Sequence, residues 1–134
     1  MLFRSDPSAN NNGAIRKASR KGHTEIVRIL LQDKRVDPSD YNNYAIKWAS
    51  RNGHIETVKI LLQYKRVDPS VNNNITIAYA SMNGHTEIVK ILLEDKRVDP
   101  SADDNWAIRL ASMNGHTEIV NILLQDKRVK HIFF

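Results

Sequence analysis

Apolar residues recur along the chain in pairs of short stretches, each with the spacing of an α-helix. In the first pair, Ile15 and Ala18 lie three positions apart in one stretch. The second stretch contains Ile26, Val27, Leu30 and Leu31. Residues three or four positions apart share one face of a helix, so each stretch predicts an amphipathic helix and the pair predicts a helix-turn-helix unit.

The segments between the helices predict two different turns. Gly22 can take the positive φ that ends a helix, and Thr24 is a suitable N-cap for the second helix. After the second helix, Lys-Arg-Val-Asp-Pro-Ser leads into an asparagine-rich stretch, where proline and asparagine favour a short projecting finger. The last asparagine of this stretch, Asn12 in the first unit, is expected to cap the following helix.

The unit recurs every 31 residues. Asp-Pro-Ser begins at Asp6, Asp37, Asp68 and Asp99, and Gly-His begins at Gly22, Gly53, Gly84 and Gly115. Two markers with one period define four repeats, residues 6–36, 37–67, 68–98 and 99–129, with short uncapped termini at 1–5 and 130–134. The pattern predicts one domain over residues 1–134, an all-α solenoid in which each repeat is stabilised by its neighbours.

These repeats resemble the ankyrin repeat family over nearly the whole chain. The family pattern T-P-L-H-x-A, followed by G-H-x-x-I-V-x-x-L-L, has counterparts in residues 14–18 and 22–31. The period is 31 rather than 33, the Thr-Pro pair is missing, and Lys-Arg-Val-Asp replaces Gly-Ala-Asp, so the finger should be shorter. The recurring KRVDPS, NNN and AI are also similar to ankyrin arrays of large DNA viruses of amoebae. The resemblance implies a concave groove, lined by the first helices and fingers, that binds partner proteins.

The positions that vary between repeats lie on one face of the first helix. At 100° per residue, Ile15, Ala18 and Gly22 point inward, whereas Gly13, Lys17, Arg20 and Lys21 point away from the core. Large apolar groups on an outward face are typical of interface hot spots. We therefore predict that a partner protein binds to Arg16, Lys17, Arg20, Lys21, Tyr41, Tyr44, Trp48, Arg51, Tyr79, Met82, Trp106, Leu110 and Met113. The open alternative is that these aromatic side chains pack against each other between repeats.

The charge of the chain is graded from one end to the other. The net charge is +5, but residues 6–36 carry seven basic and three acidic residues, and residues 99–129 carry three basic and five acidic residues. A nucleic-acid-binding surface is usually basic throughout, so nucleic acid is the less favoured partner. The basic first repeat instead favours an acidic part of a partner protein. The opposite charges of the two ends also leave open a self-associating assembly element with weak head-to-tail contacts.

Several site types are disfavoured by the residue types present. The chain has no cysteine, and histidines that recur once per repeat lie roughly 8 to 10 Å apart, too far to share a metal ion. No nucleophile, base and orienting group converge, and no phosphate-binding loop is present, so we predict no enzymatic activity, cofactor or small-molecule substrate. No signal peptide is recognisable after Met1, and the mean hydropathy of −0.48 argues against a membrane segment. We expect an intracellular protein, cytoplasmic or nuclear, in a host cell if the chain is viral.

One local exception concerns the second repeat. It reads Ile55-Glu56-Thr57 where the other repeats read Thr-Glu-Ile, so Thr57 takes the position of a core isoleucine. A buried hydroxyl needs a hydrogen-bond partner, and Thr57→Ile is expected to stabilise the array by roughly 1 kcal/mol. The apolar tail Ile132, Phe133 and Phe134, with His131, is expected to fold back as a cap.

Overall fold

The computed structural model describes residues 6–129, which form eight α-helices and no strand. The first helices of the four repeats are α1 (Ala9–Lys21), α3 (Asp40–Arg51), α5 (Val71–Met82) and α7 (Ala102–Met113). The second helices are α2 (Thr24–Leu31), α4 (Ile55–Leu61), α6 (Thr86–Leu93) and α8 (Thr117–Leu124). Each helix packs against its counterpart in the next repeat, which confirms the all-α solenoid.

A single hydrophobic core runs the length of the array. Ile15, Ile46, Ile77 and Ile108 of the first helices are almost completely buried, and so are Val27, Val58 and Val89 of the second helices. These side chains lie between neighbouring repeats as well as within them, because a helix pair alone is too small to enclose its apolar face. The repeats are therefore held together by the same residues that hold each helix pair together.

The fingers are left-handed turns rather than hairpins. Within the bounds of each first helix, the second to fourth residues have left-handed φ between 53° and 62°, and the right-handed helix follows them: Asn10 to Asn12, Tyr41 to Asn43, Asn72 to Asn74, and Asp103 to Asn105. Asparagine and aspartate tolerate this conformation better than other residues with a side chain, which accounts for the asparagine-rich sequence. The expected short finger is thus present, built from one left-handed turn.

The last asparagine of a finger connects two repeats. Oδ1 of Asn12 accepts a hydrogen bond of 2.7 Å from the backbone N–H of Asp37, in the next finger. Asn43 binds Asp68 in the same way, and Asn74 binds Asp99. Asn12 itself has left-handed backbone angles and makes no capping bond to its own helix. The expectation that these asparagines cap the first helices is therefore wrong for Asn12, Asn43 and Asn74, because their side-chain oxygens accept from the next finger instead.

The turn between the helices is also connected to the neighbouring repeat. Gly53 has φ +82°, the positive φ that the sequence predicted for the glycine of this turn. His54 is the N-cap of the helix that follows, α4. The equivalent N-cap in the first repeat is His23, so the prediction that Thr24 caps the second helix is one residue off. Nε2 of His54 donates to the carbonyl oxygen of Arg20 at 2.9 Å, one repeat earlier. His85 and His116 make the same bond to Arg51 and Met82.

The Lys-Arg turns carry ion pairs, with one informative exception. Arg35 forms a bidentate pair with Asp33, at 3.0 and 2.7 Å, and the pairs of Arg97 with Asp95 and Arg128 with Asp126 are equivalent. In the second repeat Tyr64 replaces the aspartate, and Arg66 binds Asp37 at 2.7 Å instead. These turns are therefore close to neutral, as the flanking carboxylates in the sequence indicate.

The two ends of the chain, residues 1–5 and 130–134, lie outside the described residues. The predicted cap formed by His131, Ile132, Phe133 and Phe134 falls in that part. Within residues 6–129, no helix is long and apolar enough to cross a membrane.

Candidate protein-binding surface

The side chains at the positions of Gly13, Lys17, Arg20 and Lys21 in each repeat form one continuous surface, here called the inner face. Equivalent residues of consecutive first helices stand next to each other because these helices pack side by side. Lys17, Trp48, Tyr79 and Leu110 thus form one row along the array. The inner face changes from basic in the first repeat, through aromatic in the second and third, to apolar in the fourth.

Four aromatic rings of the inner face and the adjoining finger form a continuous stack. The ring centroids of Tyr41 and Tyr44 are 6.1 Å apart, and those of Tyr44 and Trp48 are 5.7 Å apart. Trp48 then meets Tyr79 of the third repeat at 6.2 Å. Tyr44, Trp48 and Tyr79 are half-buried, whereas Tyr41 is 57% exposed. The rings therefore contact each other between repeats, as the alternative reading of the sequence proposed, and still present part of their surface to solvent.

Two arginines cover this stack. The guanidinium of Arg16 lies 4.4 Å from the ring centroid of Tyr41 and 5.3 Å from that of Tyr44. The guanidinium of Arg51 lies 4.8 Å from Trp48 and 5.1 Å from Tyr79. Cation–π contacts of this kind hold an arginine in place while leaving its edge open for hydrogen bonds.

The two arginines differ in the use of that edge. Arg16 donates from Nε to the carbonyl oxygen of Asn11 and from Nη2 to that of Asn10, at 3.0 and 2.9 Å. Among residues 6–129, no hydrogen bond or ion pair is made by the Arg51 guanidinium. The Arg51 guanidinium therefore lies over two aromatic rings with its donors available, a suitable arrangement for a carboxylate.

The remaining basic residues of the first repeat are not equivalent. Lys17 and Lys21 are exposed. Arg20 is half-buried, with its Nε enclosed and lacking a hydrogen-bond partner among the described residues, and its carbonyl oxygen accepts bonds from Asn52 and His54. Lys17 and Lys21 are consequently the side chains of this repeat that are free to approach a partner.

The fourth repeat completes the inner face with apolar surface. In this repeat Trp106 and Leu110 are half-buried, like Met82 of the third repeat, and Met113 is 78% exposed. No ring or cation contact within residues 6–129 connects Trp106 to the aromatic stack, so the predicted residues form two groups, one centred on Trp48 and the other on Trp106.

Sequence reasoning missed one feature of the fourth repeat. Its left-handed turn contains Asp103 and Asp104, which are exposed and precede Trp106 by three and two positions. Asparagines occupy these positions in the first repeat, so the exchange of amide for carboxylate was the available signal. Asp103 and Asp104 place negative charge at the fourth-repeat end of the inner face, whereas Lys17 and Lys21 lie at the first-repeat end.

Two surface depressions of the array lie away from the inner face. One, of about 310 Å³, is lined by the glycine-histidine turns around Gly53 and His85. Another, of about 270 Å³, lies between the second helices around Leu62 and Ile91. None of the predicted partner-binding residues lines either depression. Within residues 6–129, no three histidine, aspartate or glutamate side chains are grouped to hold a metal ion.

Comparisons with known proteins agree with the repeat structure. The family model described as ankyrin repeats (3 copies) matches residues 1–74 and residues 65–132. Comparison with curated proteins gave no significant match. Ankyrin repeats generally serve as protein-protein interaction modules and are typically non-enzymatic.

Proposed function

The chain belongs to the ankyrin repeat family, and from that premise we propose that it is an intracellular, non-enzymatic module whose inner face binds a segment of a partner protein. The observation that supports this most directly is Arg51, which lies over the rings of Trp48 and Tyr79 with its hydrogen-bond donors available. Such a group offers both apolar area and a fixed charge, the combination that interface hot spots share.

The gradient of side chains along the inner face suggests how the partner lies. Lys17, Lys21 and Arg51 would attract acidic side chains, while Trp106, Leu110 and Met113 would receive apolar ones. Asp103 and Asp104 would favour a basic residue near the apolar end. Because neighbouring helices lie about 10 Å apart, Trp48 and Trp106 are about 20 Å apart, which an extended segment of at least about six residues can span.

The proposal is tested by placing a photoreactive crosslinking residue at Met113 and, separately, at Asn121 on the exposed side of α8. The protein captured by affinity purification should crosslink from position 113 and not from position 121. Capture from position 121 alone would contradict binding on the inner face. Arg51→Gln should weaken the isolated complex about 30-fold, the equivalent of about 2 kcal/mol, while Arg28→Gln, which removes the same charge from the exposed side of α2, should leave it unchanged.

Nucleic acid is the second candidate, favoured by the combination of arginine and stacked rings. If the partner is nucleic acid, the logarithm of the binding constant should fall steeply and linearly with the logarithm of the salt concentration. Capture should then also disappear after nuclease treatment. Capture that survives nuclease and moderate salt supports the protein partner.

A further inference from the structure

The first repeat exposes apolar side chains whose equivalents in the second repeat are buried. Ile26 and Ile29 of α2 are 50% and 51% exposed. Their equivalents in the second repeat, Thr57 and Ile60, are 0% and 9% exposed because the first repeat covers them. Among residues 6–129, the outward side of the first repeat, here called the N-terminal face, is therefore one half of a repeat interface without its other half.

The fourth repeat exposes the complementary half, here called the C-terminal face. Ser19, Ser50 and Ser81 are completely buried, whereas Ser112, at the same position, is exposed. A Cβ placed on Gly53 or Gly84 would lie 2.7 Å from the histidine ring of the next repeat. At Gly115 no atom of the described residues lies within 4 Å of that position.

The two faces match each other in detail. At each of the three internal interfaces, a histidine of the later repeat covers a glycine and donates to a carbonyl of the earlier repeat. His23 on the N-terminal face is exposed and stands at the histidine position. The carbonyl of Met113 and the open surface of Gly115 stand at the position that receives it. The first repeat is also strongly basic and the fourth is acidic, so their approach is electrostatically favourable.

We propose that the N-terminal face docks on the C-terminal face of a second copy of this chain, continuing the internal stacking across two molecules. The contact joins two different surfaces, so it does not close on itself, and further copies add to a growing open array. The aromatic stack lies on the inner face rather than at either end, so this association is independent of the proposed partner binding.

The experiment measures the molar mass of the full chain by sedimentation from about 10 µM to about 1 mM, the range that reveals weak association. We expect the average mass to rise with concentration and to rise less at high salt, which screens the charge attraction between the ends. A mass that stays at one chain throughout this range would overturn the proposal.

Two variants, each with one of the two faces blocked, test whether the N-terminal face of one molecule contacts the C-terminal face of another. Ile26→Glu with Ile29→Glu places charge on the N-terminal face, and Ser112→Arg obstructs the C-terminal face. Each variant alone should be monomeric, and a mixture of the two should form a 1:1 dimer and nothing larger, because only one functional pair of faces remains. A mixture that stays monomeric, or a blocked variant that still associates alone, contradicts the head-to-tail contact.

A control and a folding check complete the experiment. Asn121→Glu changes a residue whose equivalents Arg28, Lys59 and Lys90 are exposed in every repeat, so it should associate like the parent chain. All replaced residues are exposed, and helical circular dichroism with an unchanged unfolding transition verifies that each variant is folded.

Discussion

The hydroxyl oxygens of Thr24 and Thr57 lie 3.1 Å apart across the boundary between the first and second repeats. Thr57 is completely buried and Thr24 is half-buried. The hydroxyl that interrupts the row of core isoleucines thus has its hydrogen-bond partner, supplied by the preceding repeat. One repeat later the same two positions hold Ile55 and Ile88, and at the third boundary they hold Thr86 and Ile119, so the pair of facing hydroxyls belongs to the first boundary.

This pairing changes the expected effect of substituting Thr57. We now expect Thr57→Ile alone to lose stability rather than gain about 1 kcal/mol, because it leaves the Thr24 hydroxyl opposite an apolar group. Thr57→Val, which preserves the shape, should cost about 1 kcal/mol. The double change Thr24→Ile with Thr57→Ile should be at least as stable as the parent, since it reproduces the pair Ile55 and Ile88. Urea unfolding of the four proteins checks this, and a stabilising Thr57→Ile with Thr24 intact would show that the hydroxyl pair contributes nothing.

The glycines of the helix turns give a second prediction with a built-in control. Gly53 and Gly115 have similar backbone angles, φ +82° and +77°, so alanine costs about 1 to 2 kcal/mol of conformational strain at either position. A Cβ at Gly53 would also lie 2.7 Å from Cε1 of His85, whereas nothing lies within 4 Å at Gly115. Gly53→Ala should therefore lose about 1 to 3 kcal/mol more than Gly115→Ala, as overpacking typically costs. Equal losses in thermal or urea unfolding would mean that the histidine contact has no energetic weight.

A third prediction concerns acid. Hydrogen bonds from the side chain and backbone of Arg35 lower the pKa of Asp33 to about 2, and the equivalent bonds from Arg97 and Arg128 lower the pKa of Asp95 and of Asp126 below the ordinary value of 3.8. A lowered pKa in the folded state stabilises the fold above pH 3.8, and this stabilisation is lost as the pH falls toward 2. The free energy of unfolding should accordingly decrease between about pH 4 and pH 2.

The triple variant Asp33→Asn, Asp95→Asn and Asp126→Asn checks the origin of that decrease. Its free energy of unfolding should vary less over the same pH interval, because these three carboxylates no longer take up protons on unfolding. An unchanged slope would assign the acid sensitivity to other groups.

The last prediction separates the two tryptophans. Trp48 contacts the rings of Tyr44 and Tyr79 and the guanidinium of Arg51, so Trp48→Ala should cost about 1 to 3 kcal/mol of stability, the sum of such pairs. Trp106 has no such contact among the described residues, and Trp106→Ala should cost less than about 1 kcal/mol, close to the range of surface changes. Affinity for the partner should fall with either change when measured under conditions where both variants are folded. If Trp106→Ala unfolds far more easily than Trp48→Ala, then Trp106, and not Trp48, is the tryptophan whose packing stabilises the fold.

Local sequence by itself determined the repeat. The 31-residue period, the two helices of each unit and the glycine that ends the first helix follow from residue types and spacing. These features depend on neighbours within a few positions, where the backbone angle that glycine allows and the 3.6-residue turn of a helix decide the outcome. The row of aromatic residues on one helix face followed from the same periodicity.

Only the tertiary structure decided which atoms meet between repeats. Asn12 binds Asp37, His54 binds Arg20, and Thr57 binds Thr24, each partner lying 25 to 34 residues away. The period identifies which repeats are neighbours, but the rotation and separation of the stacked helices determine which side-chain atom reaches which backbone group. The sequence also treated Arg16 and Arg51 alike, whereas the left-handed turn of its own repeat occupies the donors of Arg16, and those of Arg51 remain open toward the inner face.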